Sequence, residues 1–195
     1  MKNEKSKKLL RFPVAIISAK GNSRRLKNKN ILNVFGKPMI SWTIEAAKKS
    51  KFVKDLYVSS ESKKILEISK KLNTKTIKRK KKLSQYNVAK IDVVKDAVKK
   101  ISKIRKPSLI ISLQGNSPEI KYFHIDKAIK HLVKFNLNEV VSVDKNFNQD
   151  AAIRVVTYNS LFSNNLSAHL GFVVTNLSDI HYKKDLKKLK KNAFK

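Results

Sequence analysis

The sequence predicts an α/β fold with a mainly parallel sheet and helices on both faces. Three observations predict it. Short apolar runs rich in β-branched residues recur along the chain. Between them lie stretches with apolar residues at three- and four-residue spacing and lysines on the opposite face. The two kinds of segment alternate, and strand–helix–strand order implies βαβ crossovers and a Rossmann-like architecture.

Taken in order, residues 1–11 read as a basic lead-in, with Met1 to Lys8 solvated. Arg11 and Pro13 interrupt the apolar stretch, so no secretory leader is expected. Pro13 to Ala19 is the first strand. Ile40, Ile44 and Ala47 mark a helix, and Leu56-Tyr57-Val58 a strand. Ile65, Ile68 and Leu72 mark a second helix, followed by strand-like Thr74 to Ile77 and the lysine run Lys78 to Lys82. Ile91, Val94, Val98 and Ile101 form a long helical stripe. Leu109 to Leu113 is the most apolar strand, and Ile125, Ile129, Leu132 and Val133 mark the next helix. Val140 to Val143 and Phe172 to Val174 are strands. Near-continuous apolar runs of this kind suit strands buried on both faces. Asn146 to Ala168 is the least regular stretch and reads as a β-hairpin or a shortened dimer or substrate arm, bounded at 146–170. From Tyr182 a last helix is expected, carrying Leu186, Leu189 and Ala193. The 195 residues suit a single domain.

Composition narrows the function. With no cysteine, disulfide frames, thiolate metal sites and cysteine nucleophiles are excluded. Lys and Arg number 45 against 14 Asp and Glu, a net charge of +31 that attracts phosphates of any kind. Only 6 of the 45 are arginine, whereas readers of nucleic acid favour forked arginine contacts. Aromatics are sparse and not interleaved with lysines, so specific nucleic-acid binding is not expected. Lysine, asparagine and isoleucine enrichment also follows from AT-rich coding. No run reaches the length of a membrane helix, and a cytoplasmic location is expected.

In open α/β sheets ligands bind beyond the carboxyl ends of the strands. The first such loop is Ser18-Ala19-Lys20-Gly21-Asn22-Ser23-Arg24-Arg25-Leu26-Lys27-Asn28-Lys29-Asn30. Gly21 would let backbone approach a ligand, and Asn22 tolerates left-handed geometry. Backbone amides with Lys20, Arg24 and Lys29 would cradle phosphates, although the GxxxxGK[ST] spacing is absent. A plain basic surface loop is the alternative. Gln114-Gly115-Asn116-Ser117-Pro118 follows the most apolar strand and is the second candidate, against the alternative of an ordinary turn.

The stretch IISAKGNSRRLKNKNILNVFGKPMISWTIEAAKKSKFVKDLYVSSES resembles the opening of the acylneuraminate cytidylyltransferases, with the KDO cytidylyltransferases as cousins. Ala19, Gly21, Ser23, Arg25, Lys29-Asn30, Gly36-Lys37-Pro38, Trp42 to Ala47 and Val58-Ser59 carry the likeness. Ser112 to Pro118, Arg79 and Asp179 to Leu186 extend it. The resemblance implies a nucleotide-diphospho-sugar transferase fold. It implies transfer of CMP from CTP to an acidic, sialic acid-like sugar, with release of pyrophosphate, for surface glycans. Mg²⁺ (or Mn²⁺) and a homodimer are implied as well. It further implies that Lys20, Ser23 and the backbone of Ala19, Gly21 and Asn22 hold the triphosphate. Lys29, with Lys20, would act catalytically by neutralising charge near the α-phosphate. Asn30, Arg79 and Gln114 would read cytosine and ribose, Asp179 and His181 would hold the metal, and Arg154 would pair with the sugar carboxylate.

The chain departs from the family pattern at four places. Lys20 replaces an arginine, Ser60-Glu61 replaces a Thr-Asp pair, and Asn116 stands where the KDO branch has aspartate. His181 replaces the second aspartate of the closing motif. The region between Val143 and Phe172 is short. A catalytically weakened homologue that binds nucleotide or a partner is therefore the rival reading. Trp42 is expected at the core edge. His124 and His131 are read as solvated, and His169 has no assigned role.

Overall fold

A computed structural model describes residues 2–165 and 167–189. The helices are α1 (Lys2–Leu9), α2 (Met39–Lys49), α3 (Lys63–Lys71), α4 (Lys90–Ser102), α5 (Tyr122–Lys134) and α6 (Tyr158–Phe162). The strands are β1 (Pro13–Ser18), β2 (Asn33–Val34), β3 (Lys37–Pro38), β4 (Asp55–Ser60), β5 (Lys75–Lys78), β6 (Leu109–Gln114), β7 (Glu139–Val143), β8 (Gln149–Thr157) and β9 (Leu170–Val174). Seven strands form one sheet in the order β5-β4-β1-β6-β8-β7-β9. The pairs β1–β4, β1–β6, β4–β5 and β7–β9 are parallel, and β8 runs antiparallel to both neighbours. β2 and β3 form a separate small hairpin.

Alternation along the strands feeds two cores. Ala15, Ile17 and Leu113 meet Ile40 and Ile44 of α2, Ile65 of α3, and Ile125 and Ile129 of α5. Val14, Ile16 and Ile110 meet Val94, Ala97, Val98 and Ile101 of α4, with Leu161 of α6. Both faces of β1 and β6 are thus covered, which explains their unbroken apolar sequence. Trp42 lies half-buried at the edge, as expected, and donates its indole N–H to Val34 O at 2.9 Å.

Four details differ from the sequence reading. The basic lead-in is helical, with Leu9 and Leu10 packed against the main core beneath exposed lysines. His124 is half-buried rather than solvated. Its Nδ1 accepts the Lys121 N–H at 3.1 Å, closing the first turn of α5, and burial pushes its pKa down to about 4. The stretch Asn146 to Ala168 does supply a hairpin partner, but β8 is an interior strand, not an arm. Ile153 and Val155 point into one core and Val156 into the other, and these contacts reward its insertion between β6 and β7. The tail forms a short 3₁₀ helix over Lys183–Lys188, and Ala193 lies outside the described residues.

Candidate active site

β1, β4 and β6 run parallel and side by side, so Ser18, Ser60 and Gln114 end at the same sheet edge. The loops leaving these three strands, together with the segment around Asp179, form the site. Ala19 and Gly115 make its floor. A side chain on Gly115 would bring its Cβ to 3.0 Å from Asn30 Oδ1, so Asn30 would have to give by a few tenths of an ångström to admit one.

Asp179 is the centre of the polar network. Gln114 Nε2 donates to its Oδ2 at 3.2 Å, Ser117 Oγ to its Oδ1 at 3.1 Å, and Asn116 Nδ2 donates to Oδ1 as well. Asn116 also donates to Ile180 O at 3.0 Å, fixing this segment against the end of β6. His181 Nε2 lies 2.9 Å from Asp179 Oδ2, and His181 Nδ1 lies 3.4 Å from an Arg25 guanidinium nitrogen. Both ring nitrogens are engaged, so a metal would have to draw His181 away from these partners. Asp185 accepts the N–H groups of His181 and Tyr182 at 2.9 and 2.8 Å. These bonds fix the backbone that carries the imidazole.

Lys29 approaches from the other side and donates to Ile180 O at 3.3 Å. Burial lowers its ammonium pKa, Asp179 opposes that shift, and Arg25 adds to it. Asn30 is buried. Its amide donates to Lys20 O at 2.8 Å, while its Oδ1 has no hydrogen-bond partner among the described residues. Lys20 and Ser23 are half-buried and Asn22 is exposed on the same loop.

Gly21 is required for a different reason from the expected close approach of a ligand. Its N–H already donates to Glu61 Oε1 at 2.7 Å, and a Cβ there would sit 2.5 Å from Ser62 Cβ. The loop after β1 is therefore clamped onto the β4 end. The clamp continues to Arg79, which is buried and lies 2.6 Å from Glu61 Oε2, 2.8 Å from Ser84 Oγ and 3.4 Å from Ala19 O. Ser84 Oγ also donates to Glu61 Oε2 at 2.7 Å. Burial alone would raise the Glu61 carboxyl, but hydrogen bonds from Ser84, Arg79 and the Gly21 amide outweigh it and hold the pKa at about 2. Arg79 thus faces inward, bracing the loop.

Arg154 stands apart from this cluster. It lies on β8 opposite Ser112, with Nε 2.7 Å from Glu139 Oε1. Lys90, at the first turn of α4, links the two regions. Burial lowers its pKa to about 8; Asp179 opposes, Arg154 reinforces, and Asp150 opposes. Nothing in the sequence distinguished Lys90 from its fellow lysines. Glu61, Asn116 and Ser117 also escaped as anchors, although the last two lie inside the Gln114–Pro118 signal. Among the described residues, no three His, Asp or Glu side chains converge as a metal cluster. Nor does any helix have the length and apolarity to cross a membrane.

Comparison with known proteins adds the context. Residues 14–184 match the family described as cytidylyltransferase. An N-acylneuraminate cytidylyltransferase of Streptococcus agalactiae is 34% identical over 132 residues, covering 67% of this chain and 31% of the relative. A pseudaminic acid cytidylyltransferase of Campylobacter jejuni is 36% identical over 86 residues, covering 44% of this chain and 37% of the relative. The chain spans about a third of the length of these curated relatives. A solved CMP:2-keto-3-deoxy-manno-octonic acid synthetase, complexed with CTP, superimposes with a TM-score of 0.72 at 15% identity. That match covers 91% of this chain and 96% of the other, and it speaks for the fold.

Proposed function

The chain belongs to the cytidylyltransferase family, and on that premise we propose that it transfers CMP from CTP to an acidic sugar, releasing pyrophosphate. The observation that carries this reading is the Asp179 carboxylate, pinned beside Lys29 at the carboxyl ends of the central strands. In the transfer, the anomeric oxygen of the sugar acid bonds to the α-phosphorus and the bond from that phosphorus to pyrophosphate breaks. The sugar hydroxyl releases its proton to solvent water, and pyrophosphate leaves with the electron pair of the broken bond. Such a reaction needs positioning and charge neutralisation more than a protein nucleophile.

Each residue has a part in this reading. Lys20, Ser23 and the backbone amides of Lys20, Asn22 and Ser23 hold the triphosphate, since the amides of Ala19 and Gly21 are already given to Ser59 O and Glu61 Oε1. Lys29 neutralises charge at the α-phosphate from a partly desolvated position, where its field is less screened than in water. Asn30 Oδ1, buried and without a partner among the described residues, offers an acceptor to the exocyclic amine of cytosine. Gln114 spends its amide on Asp179, leaving its carbonyl for the nucleoside. Arg79 supports the pocket from behind. Lys90 and Arg154 supply positive charge toward a sugar carboxylate.

Mg²⁺ or Mn²⁺ suits a carboxylate such as Asp179, but both of its oxygens already face Gln114, Asn116, Ser117 and His181, so the ion would have to displace His181 from Oδ2. A hard ion of this kind takes one or two carboxylates and completes its shell with waters and substrate phosphates. Asp179 would hold it directly, with Asn116, Gln114 and Ser117 aiming the carboxylate. Bound there, the ion would neutralise phosphate charge.

The test is pyrophosphate release from each of the four nucleoside triphosphates with Mg²⁺, across sialic, legionaminic, pseudaminic and KDO acceptors. The expected result is release with CTP alone. Asp179→Ala should lower kcat/KM by on the order of a hundredfold or more. A second reading, a homologue that binds nucleotide without turning it over, gains support from the engagement of His181 by Asp179 and Arg25. It predicts thermal protection by CTP with no pyrophosphate formed, and no measurable loss of turnover in the variant.

A further inference from the structure

Away from the site, the outward face of α5 carries a pattern that the transfer reaction does not use. A hollow of about 710 Å³ runs along it, reaching Leu10 beyond α1 and Lys51-Phe52 beyond α2. Its apolar lining includes Leu10, Phe52, Ile129 and Val133. Three aromatic side chains stand exposed on its rim: Tyr122 (41%), Phe123 (53%) and Phe135 (54%). Lys51, Lys127, Lys130 and Lys134 line it as well. The single acid in the lining, Asp126, is buried and turned inward, accepting from Ser50 Oγ at 2.5 Å and Lys51 N at 3.3 Å. α1 adds exposed Lys5, Lys7 and Lys8 beside Leu9 and Leu10.

We propose that this face is a docking surface for an anionic lipid membrane, with Phe123 and Phe135 entering the interface and the lysines meeting the headgroups. Exposed aromatics beside lysines on an apolar floor are the makings of an interfacial anchor. Charge complementarity selects the partner: juxtamembrane lysines are drawn to anionic headgroups, each worth about fivefold in binding. A second copy of the chain is disfavoured, because each copy carries +31 and lysine rim would face lysine rim. Nucleic acid is disfavoured by spacing, since Phe123 and Phe135 stand about 18 Å apart along the helix and make no stacking platform. The inference does not depend on the transfer reaction.

The test is flotation of the full chain with vesicles of phosphatidylcholine, alone or with phosphatidylglycerol added. The expected result is binding only to the anionic vesicles. Lys51→Ser/Lys130→Ser/Lys134→Ser should weaken it on the order of a hundredfold. Phe123→Ser/Phe135→Ser should abolish the part of the binding that survives high salt. All five side chains project from the surface, and circular dichroism checks that the variants remain folded. The charge-matched control, Lys63→Ser/Lys64→Ser/Lys70→Ser on α3, should bind like the parent. No binding, or equal loss in the α3 control, would overturn the proposal. So would self-association, or polyanionic RNA binding, lost in the same patch variants.

Discussion

Two ion pairs, one on each side of the central strands, show how differently the halves of this molecule are built. On the β1–β4–β5 side, Glu61 meets Arg79 with side-chain exposures of 14% and 3%. On the β8–β7–β9 side, Glu139 meets Arg154 with 14% and 34%. The glutamates are equally sheltered, so the arginines make the difference. Arg79 is bound into a network with Ser84 and the Ala19 carbonyl that closes on the Gly21 amide. Arg154 keeps a third of its side chain in water. The half proposed to hold the nucleotide is locked, and the half proposed to meet the acceptor sugar is left adjustable. A buried pair cannot lose one member cheaply, because the other is stranded away from solvent. A pair that keeps a third of its arginine in water can do so at less cost, because water reaches the part of the guanidinium away from the contact.

The largest expected effect follows from the locked pair. Glu61→Ala leaves Arg79 buried without its counter-charge and should cost about 3–5 kcal/mol of stability, read as a lower denaturant midpoint. A cost below 1 kcal/mol would erase the contrast between the halves. The same residue sets an acid limit. Its carboxyl is held at about 2 in the fold against 4.5 for the unperturbed group, so the unfolded chain binds the proton more readily. The Glu61 contribution is complete above pH 4.5 and is lost as pH falls toward 2. Stability measured through that window should fall more steeply in the parent than in Glu61→Gln.

A smaller effect tests the steric part of the clamp. Gly21→Ala places a methyl group 2.5 Å from Ser62 Cβ and should cost about 1–3 kcal/mol, with weaker CTP protection against heat. Ser62 caps α3 by accepting the Ile65 N–H, and glycine at such a cap costs only a few tenths of a kcal/mol. Ser62→Gly should therefore restore much of what Gly21→Ala removes. Without that rescue in a double-mutant cycle, contact with Ser62 is not the reason for glycine at position 21.

The two halves also differ in how far their sequence could be read. The strands Pro13–Ser18 and Leu109–Gln114 announce themselves, because burial on both faces leaves no polar interruptions. The loop from Ala19 to Asn30 was legible as a phosphate-binding candidate from its glycine and cations. The Glu61 clamp was not, since its meaning depends on Arg79, 18 residues on, and Gly21, 40 residues back. β8 was read as irregular because its apolar run is short and broken by Arg154. Only long-range pairing with Leu109 to Leu113 and Glu139 to Val143 makes it an interior strand. Local pattern records burial well and records partners in space poorly.

The smallest effect sharpens the comparison from the acceptor side. Glu139→Ala should cost less stability than Glu61→Ala, about 1 kcal/mol, since Arg154 Nε is buried but a third of the side chain already reaches water. Its functional effect has a definite direction. With Glu139 gone, Arg154 loses its competing carboxylate and gains affinity for one on the sugar, so KM for the acceptor should fall while KM for CTP holds. A rise in acceptor KM would mean that the pair positions Arg154 for the sugar, and that this half is as pre-set as the other. A change in CTP affinity would place Arg154 on the nucleotide side, and the division of labour drawn from the two ion pairs would fail at the residue meant to mark it.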